Sequence, residues 1–164
     1  MSLKKHLEQL FNYKQWADAE AFAAIRKVDA DAWPKQRHLM LRLMNHIYVV
    51  DQIFIANLQG QRHGYTALNT QETPTLEALE EAMLASDRRY LAYIASLSEA
   101  QLDERIHFTF VDGGPGDMLR REMLAHVEHH GCYHRGAVGW LITESAVKAP
   151  QDVLTVFVRD GGVA

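Results

Sequence analysis

The sequence predicts an all-α protein, a four-helix bundle with a short strand or hairpin near residues 104–118. Three observations predict it. Four segments of about 20 to 28 residues repeat apolar side chains at helical spacing. Long crossovers, more than tight turns, join them, so the topology is not simple up-and-down. With 164 residues and 48% hydrophobic side chains, the chain suits one domain with its own core, spanning residues 1–164, and is short for two.

Residues 3–28 place Leu3, Leu7, Leu10, Ala17, Ala21 and Val28 on one stripe, with Glu8, Gln15, Asp18 and Lys27 between them. Asp29 to Arg37, with Trp33 before Pro34, ends that helix. A second helix runs from about His38 to Leu58, carrying Leu39, Leu43, Val50 and Ile53 on its stripe and Gly60 where a C-cap belongs. Residues 61–72 read as a surface loop. Thr73 is placed to cap a third helix with Pro74 in its first position, running through Leu76, Leu79, Met83, Tyr90 and Ile94 to about Leu97. Ser98 and Gln101 form a capping box for one more turn. The period then changes: Ile106, Phe108 and Phe110 alternate with His107, Thr109 and Val111 before a glycine-rich turn, which predicts the strand or hairpin. A fourth helix covers about Met118 to Ser145, with Leu119, Met123, His126, His130, Ala137 and Leu141 along one face, and Asp152 to Val158 reads as a final turn or strand.

Charge and composition narrow the function. Seventeen basic against twenty-one acidic residues give a net charge of −4, with no basic stripe to neutralise a row of phosphates, so no nucleic-acid partner is expected. Neither a signal peptide nor a long apolar run stands out, so no membrane partner is expected and the reading is cytoplasmic. One cysteine excludes an internal disulfide and any zinc site of several thiolates. Nine histidines remain for chemistry, four of them between positions 126 and 134.

Helical positions i and i+4 lie on one face about 6 Å apart along the axis, so two imidazoles at that spacing can converge on one ion. His126, His130 and His134 give two overlapping pairs of this kind. All three cannot easily serve one ion, because the outer two stand about 12 Å apart along the axis. A ligand from another helix is needed, and His46, on the second helix's apolar stripe, is the candidate. His126 reads equally as a packing residue one turn away, and His129, about 100° from His130, reads as exposed. His6, His38, His63 and His107 have no spaced partner and read as surface or structural. Cys132 falls on the opposite side of the helix from the pair and reads as a small filler. Tyr13, Trp16, Phe22, Trp33, Tyr48 and Phe54 read chiefly as core. Gly131 and Gly136 inside a helix suggest close approach of another segment.

The stretch Leu124-Ala125-His126-Val127-Glu128-His129-His130-Gly131-Cys132-Tyr133-His134-Arg135-Gly136 resembles the signature of the DinB/YfiT-like metalloenzyme family. Leu43-Met44-Asn45-His46 resembles that family's second-helix motif, Tyr13 to Ala17 its opening helix, and Pro150-Gln151-Asp152 its C-terminal segment. The resemblance implies a four-helix bundle with an up-down-down-up style of connection. It also implies a divalent ion, nickel or zinc, held by His46, His130 and His134, which selects one of the two histidine pairs. A homodimer is implied as well. Ala137 departs from the family's usual Gln, and Arg135 reads as structural before catalytic.

Three imidazoles leave an ion with open positions, as in a catalytic site. The resemblance then points to transfer of a low-molecular-weight thiol to an electrophile, with a small molecule as substrate. A metal-dependent hydrolase is the alternative; it needs an acid or base near the ion, and Asp51 and Glu128 fall off the ligands' helical faces. A non-enzymatic, stress-related metal or small-molecule binding protein is the third reading.

Overall fold

A computed structural model describes residues 2–162. Ser2 caps α1 (Leu3–Arg26), its hydroxyl accepting from the Lys5 N–H at 3.3 Å, which satisfies one of the free donors of the first turn. Val28 lies just past the helix yet is buried, and Arg37 donates to the Ile25 and Val28 carbonyls at 3.0 and 2.7 Å. Helix α2 (Pro34–Leu58) begins at Pro34 instead of near His38, because a proline at the first helical position lacks only a donor that has no partner there. It ends as Gly60 suggested. With φ of 66° at Gly60, the Gln61 N–H donates to the Ala56 carbonyl at 2.8 Å and the Gly60 N–H to the Asn57 carbonyl at 3.1 Å.

Helix α3 (Leu76–Ser96) starts two residues later than expected. Thr75, not Thr73, reaches the free donor, accepting from the Ala78 N–H at 3.3 Å, and Pro74 lies outside the helix. The Ser98–Gln101 box is present in both directions, at 2.8 and 3.3 Å, and opens a 3-10 turn at Ala100–Asp103. The predicted hairpin follows. β1 (Arg105–Thr109) pairs antiparallel with β2 (Pro115–Leu119), Arg105 opposite Leu119 and Thr109 opposite Pro115. Helix α4 (Arg120–Glu144) continues directly from β2, which claims Met118 and Leu119 from the helix predicted there. The segment read as a final turn or strand contains a short helix, α5 (Leu154–Arg159), whose Phe157 ring packs on Tyr13 and Trp16 of α1.

Helix α1 packs on α3 and α4, and α2 packs on the same two, so the consecutive helices α1 and α2 face each other across the bundle. That order is not simple up-and-down. The core divides into two apolar clusters. One gathers Leu7, Phe11, Phe54, Tyr90, Leu124 and Val127 beneath the hairpin residues Ile106, Phe108 and Met118. The other gathers Phe22, Ile25, Met44, Ile47, Met83 and Val138. Where the two sets meet, each of the four long helices carries buried charge: Lys14 and Asp18 on α1, Asp51 on α2, Asp87 on α3 and Arg135 on α4. Among the described residues only α2 is long and apolar enough to cross a bilayer, and most of that stretch is buried within the bundle.

Two predicted stripes are rotated from the true core faces. On α2 Val50 and Ile53 are buried as expected, but the buried row is centred on Met40, Met44, Ile47, Asp51 and Phe54, while Leu39 is 50% exposed. On α4 it is Leu124, Val127, Gly131, Arg135, Val138 and Ile142. The cause is the same in both: each helix packs on two neighbours, so its buried arc is wide and centred elsewhere. His46, His130 and His134 consequently lie half-buried at the rim of the core, where a ligand can reach them.

Candidate metal centre

The α2–α4 contact brings His46 to the His130–His134 pair. Their ligand nitrogens all lie within 4.8 Å of one another, and the Nε2 atoms of His46 and His130 are 3.0 Å apart. A tetrahedral ion with metal–nitrogen bonds of about 2.0–2.1 Å would set its ligand nitrogens about 3.3 Å apart, so this spacing fits one ion. His126, the open alternative, is not in the cluster. Its ring stacks on Phe54 at 4.6 Å and on His130 at 5.6 Å.

The loop after α2 orients His46. Its Nδ1 lies 2.7 Å from the Leu68 carbonyl, an acceptor that places the proton on Nδ1 and leaves the Nε2 lone pair facing the other imidazoles. Leu68 is held in turn by α2. Asn45 donates to Asn69 and, at 2.7 Å, to the Thr70 hydroxyl; Arg42 donates to the Thr70 carbonyl at 2.7 Å; Asn69 donates back to the Arg42 carbonyl at 3.0 Å. Sequence reasoning missed Asn45. The available signal was a polar residue beside a candidate ligand within a mostly apolar stretch of helix.

Metal binding needs neutral imidazoles. Burial, with the neighbouring His134, His46 and His126, pushes His130 down to about 3, and burial with His46 lowers His134. The buried Nδ1 of His130 has no hydrogen-bond partner among the described residues. These groups present lone pairs at neutral pH instead of protons, and the donor set fits a borderline divalent ion.

Behind α4 lies the charged layer, unrecognised in the sequence. The Lys14 ammonium, fully buried, meets Asp18, Asp51 and Asp87 at 2.8, 2.8 and 2.6 Å. Arg135 donates to Asp18 at 3.1 Å and to Asp152 at 2.7 Å, and Tyr13 donates to Asp152. Each of the four long helices supplies a charge at this level, so the layer ties all four together. Gly131 makes room for it: a Cβ there would stand 2.9 Å from Arg135 Nη1 and 3.6 Å from Lys14 Cε. Close approach was the expectation for Gly131, though by side chains; Gly136 faces open space. Arg135 lies within this ion-pair network and away from the three imidazoles' cluster.

The remaining candidates lie elsewhere. His129 and His107 are 78% and 75% exposed, and His38 is exposed on α2. Cys132 faces the Tyr13–Phe157 cluster, donating to Glu128 at 3.1 Å, and burial pushes its thiol up to about 12. Asp51 is taken by Lys14 and Glu128 by Cys132, so neither joins the imidazoles.

A sequence model of the DinB family matches residues 1–159. The chain belongs to the DinB family. It is also similar to Protein DinB of Bacillus subtilis (strain 168), at 23% identity over 155 residues that cover 88% of this chain and 89% of that protein. No solved structure matches it significantly. In this DinB-family chain the motif residues are far apart in sequence and meet in two places. His46, His130 and His134 form the rim cluster, while Tyr13, Arg135 and Asp152 join the network behind it.

Proposed function

We propose that His46, His130 and His134 hold one divalent ion, zinc or nickel, and that the protein joins a low-molecular-weight thiol to a small electrophile. The convergence of three imidazoles within 4.8 Å at the rim of the core carries this reading. A bound divalent ion supplies Lewis acidity that lowers the pKa of a thiol. The chain's own part is to orient His46 through Leu68 and to keep His130 and His134 unprotonated by burial. In the transfer the thiol's proton passes to solvent, the thiolate sulfur forms a bond to the electrophilic carbon, and the leaving group departs with its electron pair.

Two placements favour transfer over hydrolysis. Asp51 and Glu128, the carboxylates nearest the ligands in sequence, are occupied by Lys14 and Cys132. A thiolate needs no such base beside the reacting carbon. The thiol comes from outside, since burial holds the Cys132 thiol at about 12. We place the protein in the cytoplasm as a homodimer, a pairing supported by Tyr133 and Trp140, 78% and 67% exposed one face along α4, with the small residues Gly136 and Ala137 between them.

The test is a panel of small thiols with an activated electrophile, using protein loaded with zinc or nickel and protein stripped of metal. Metal-dependent conjugation with at least one thiol is the expected result, lost in His130→Ala; absence of conjugation across the panel refutes the transferase reading.

A further inference from the structure

A cavity of about 330 Å³ lies between the loop after α2 and the tip of the hairpin, lined by Thr66, Ala67, Leu68, Phe110, Val111 and Asp112. Residue-to-residue contacts run from both of its walls to the histidines. On the loop side, the Leu68 carbonyl is the acceptor for His46. On the hairpin side, a ladder of rings runs from Phe110 to Phe108 at 4.8 Å, to Phe54 at 6.0 Å, to His126 at 4.6 Å and to His130 at 5.6 Å.

The lining decides what the cavity can hold. Leu68 and Phe110 are 49% and 42% exposed, large apolar side chains on facing walls. An exposed phenyl ring is a stacking surface for another ring. Among the described residues the one charged side chain in the lining is Asp112, whose Oδ1 accepts from the Gly114 N–H at 2.9 Å, and no lysine, arginine or histidine lines the space. An anion therefore meets repulsion there with no counter-charge. The volume sits at the small end of ligand sites, near the 300 Å³ or so where they begin.

The geometry points to this cavity as the binding site of the electrophile, a neutral or cationic ring-sized apolar group such as a benzyl unit. This deepens the transfer reaction proposed above and rests on it only in naming the bound group as the electrophile. The polar thiol has no place in such a lining and approaches from the open side of the histidines. With a benzyl halide, the sulfur–carbon bond forms at the benzylic carbon as the carbon–halogen bond breaks, halide leaves with the electron pair and the thiol proton goes to solvent.

The experiment is an amide-resolved NMR titration of the full chain with benzyl alcohol and, separately, benzoate. Benzyl alcohol is expected to shift the amides of residues 66–68 and 110–112 saturably, with benzoate at least about tenfold weaker. Ala67→Trp fills the cavity from the loop and Val111→Trp from the hairpin; either, if folded, lowers benzyl alcohol affinity by about tenfold or more while zinc stoichiometry is unchanged. Equal binding of benzoate, shifts confined to other residues, or undiminished binding in the folded tryptophan variants overturns the assignment. Binding at the cavity with no conjugation of any thiol to benzyl bromide leaves the cavity standing and removes the transferase reading. Conjugation of benzyl bromide at the wild-type rate in both tryptophan variants does the reverse.

Discussion

Lys14→Met removes the one ammonium shared by Asp18, Asp51 and Asp87, all within 2.8 Å of it and out of solvent. Breaking a buried ion pair from one side costs about 3–5 kcal/mol, because the partner charges stay buried. Domains of this kind are stable by about 5–15 kcal/mol, so the variant loses a large share of its stability. The loss depends on pH. Lys14 and Arg135 are two cations against Asp18, Asp51, Asp87 and Asp152, and burial raises Asp51 to about 6 and Asp87 to about 7 although Lys14 pulls both down. Tyr90, whose hydroxyl donates to the Asp51 main-chain carbonyl, and Tyr13, which donates to Asp152, also face them. Acids raised this way stabilise the fold fully below their ordinary value near 4, and that contribution is lost as pH climbs through 6 and 7. Without Lys14 these carboxyls are raised further, so the deficit of the variant is larger at pH 8 than at pH 5. Urea unfolding followed by circular dichroism at both pH values, with EDTA present to remove metal linkage, measures it. A deficit below about 1 kcal/mol at pH 8, or one that grows toward pH 5, refutes the assigned role of the layer. Adding Asp51→Asn and Asp87→Asn to Lys14→Met is expected to restore part of the stability and flatten its pH dependence.

Further outcomes follow from the same geometry. Zinc affinity is expected to fall by less than about tenfold between pH 7.5 and 6.0, against about 50-fold for three ordinary imidazoles, because protons compete poorly at His130 and His134; competition titrations with a chromophoric chelator measure it. Asn45→Ala frees the loop that presents Leu68, and is expected to weaken zinc binding by about 10- to 100-fold with the helical content unchanged. Ala146 holds φ of 58° just beyond α4, so Ala146→Gly is expected to stabilise the protein by about 1 kcal/mol, read as a rise in Tm of about 2–4 °C.

The four helices, the Ser98–Gln101 box and the hairpin were legible because each rests on a local signal: period, cap or alternation. Helix starts were less so. Pro34 sat in a segment read as a breaker, and Thr73 and Thr75 offered the same hydroxyl two residues apart. The three histidines could be narrowed by spacing to overlapping pairs, but only the α2–α4 contact, which is tertiary, brings His46 to His130 and His134 rather than His126. The charged layer was not legible. Lys14 and Asp18 look like one polar face of α1, and their burial depends on Asp51, Asp87 and Arg135 arriving from three other helices. Asp51 within an apolar run and Asp87 between Met83 and Tyr90 were the available hints.

Calorimetric titration of zinc into metal-free wild type and into His46→Ala, His130→Ala and His134→Ala tests the metal centre most directly. One equivalent bound by the wild type, with at least about 100-fold weaker binding in each variant, is the predicted result. Wild-type affinity retained in any of the three, with one equivalent still bound, contradicts the assignment of His46, His130 and His134 as the ligands.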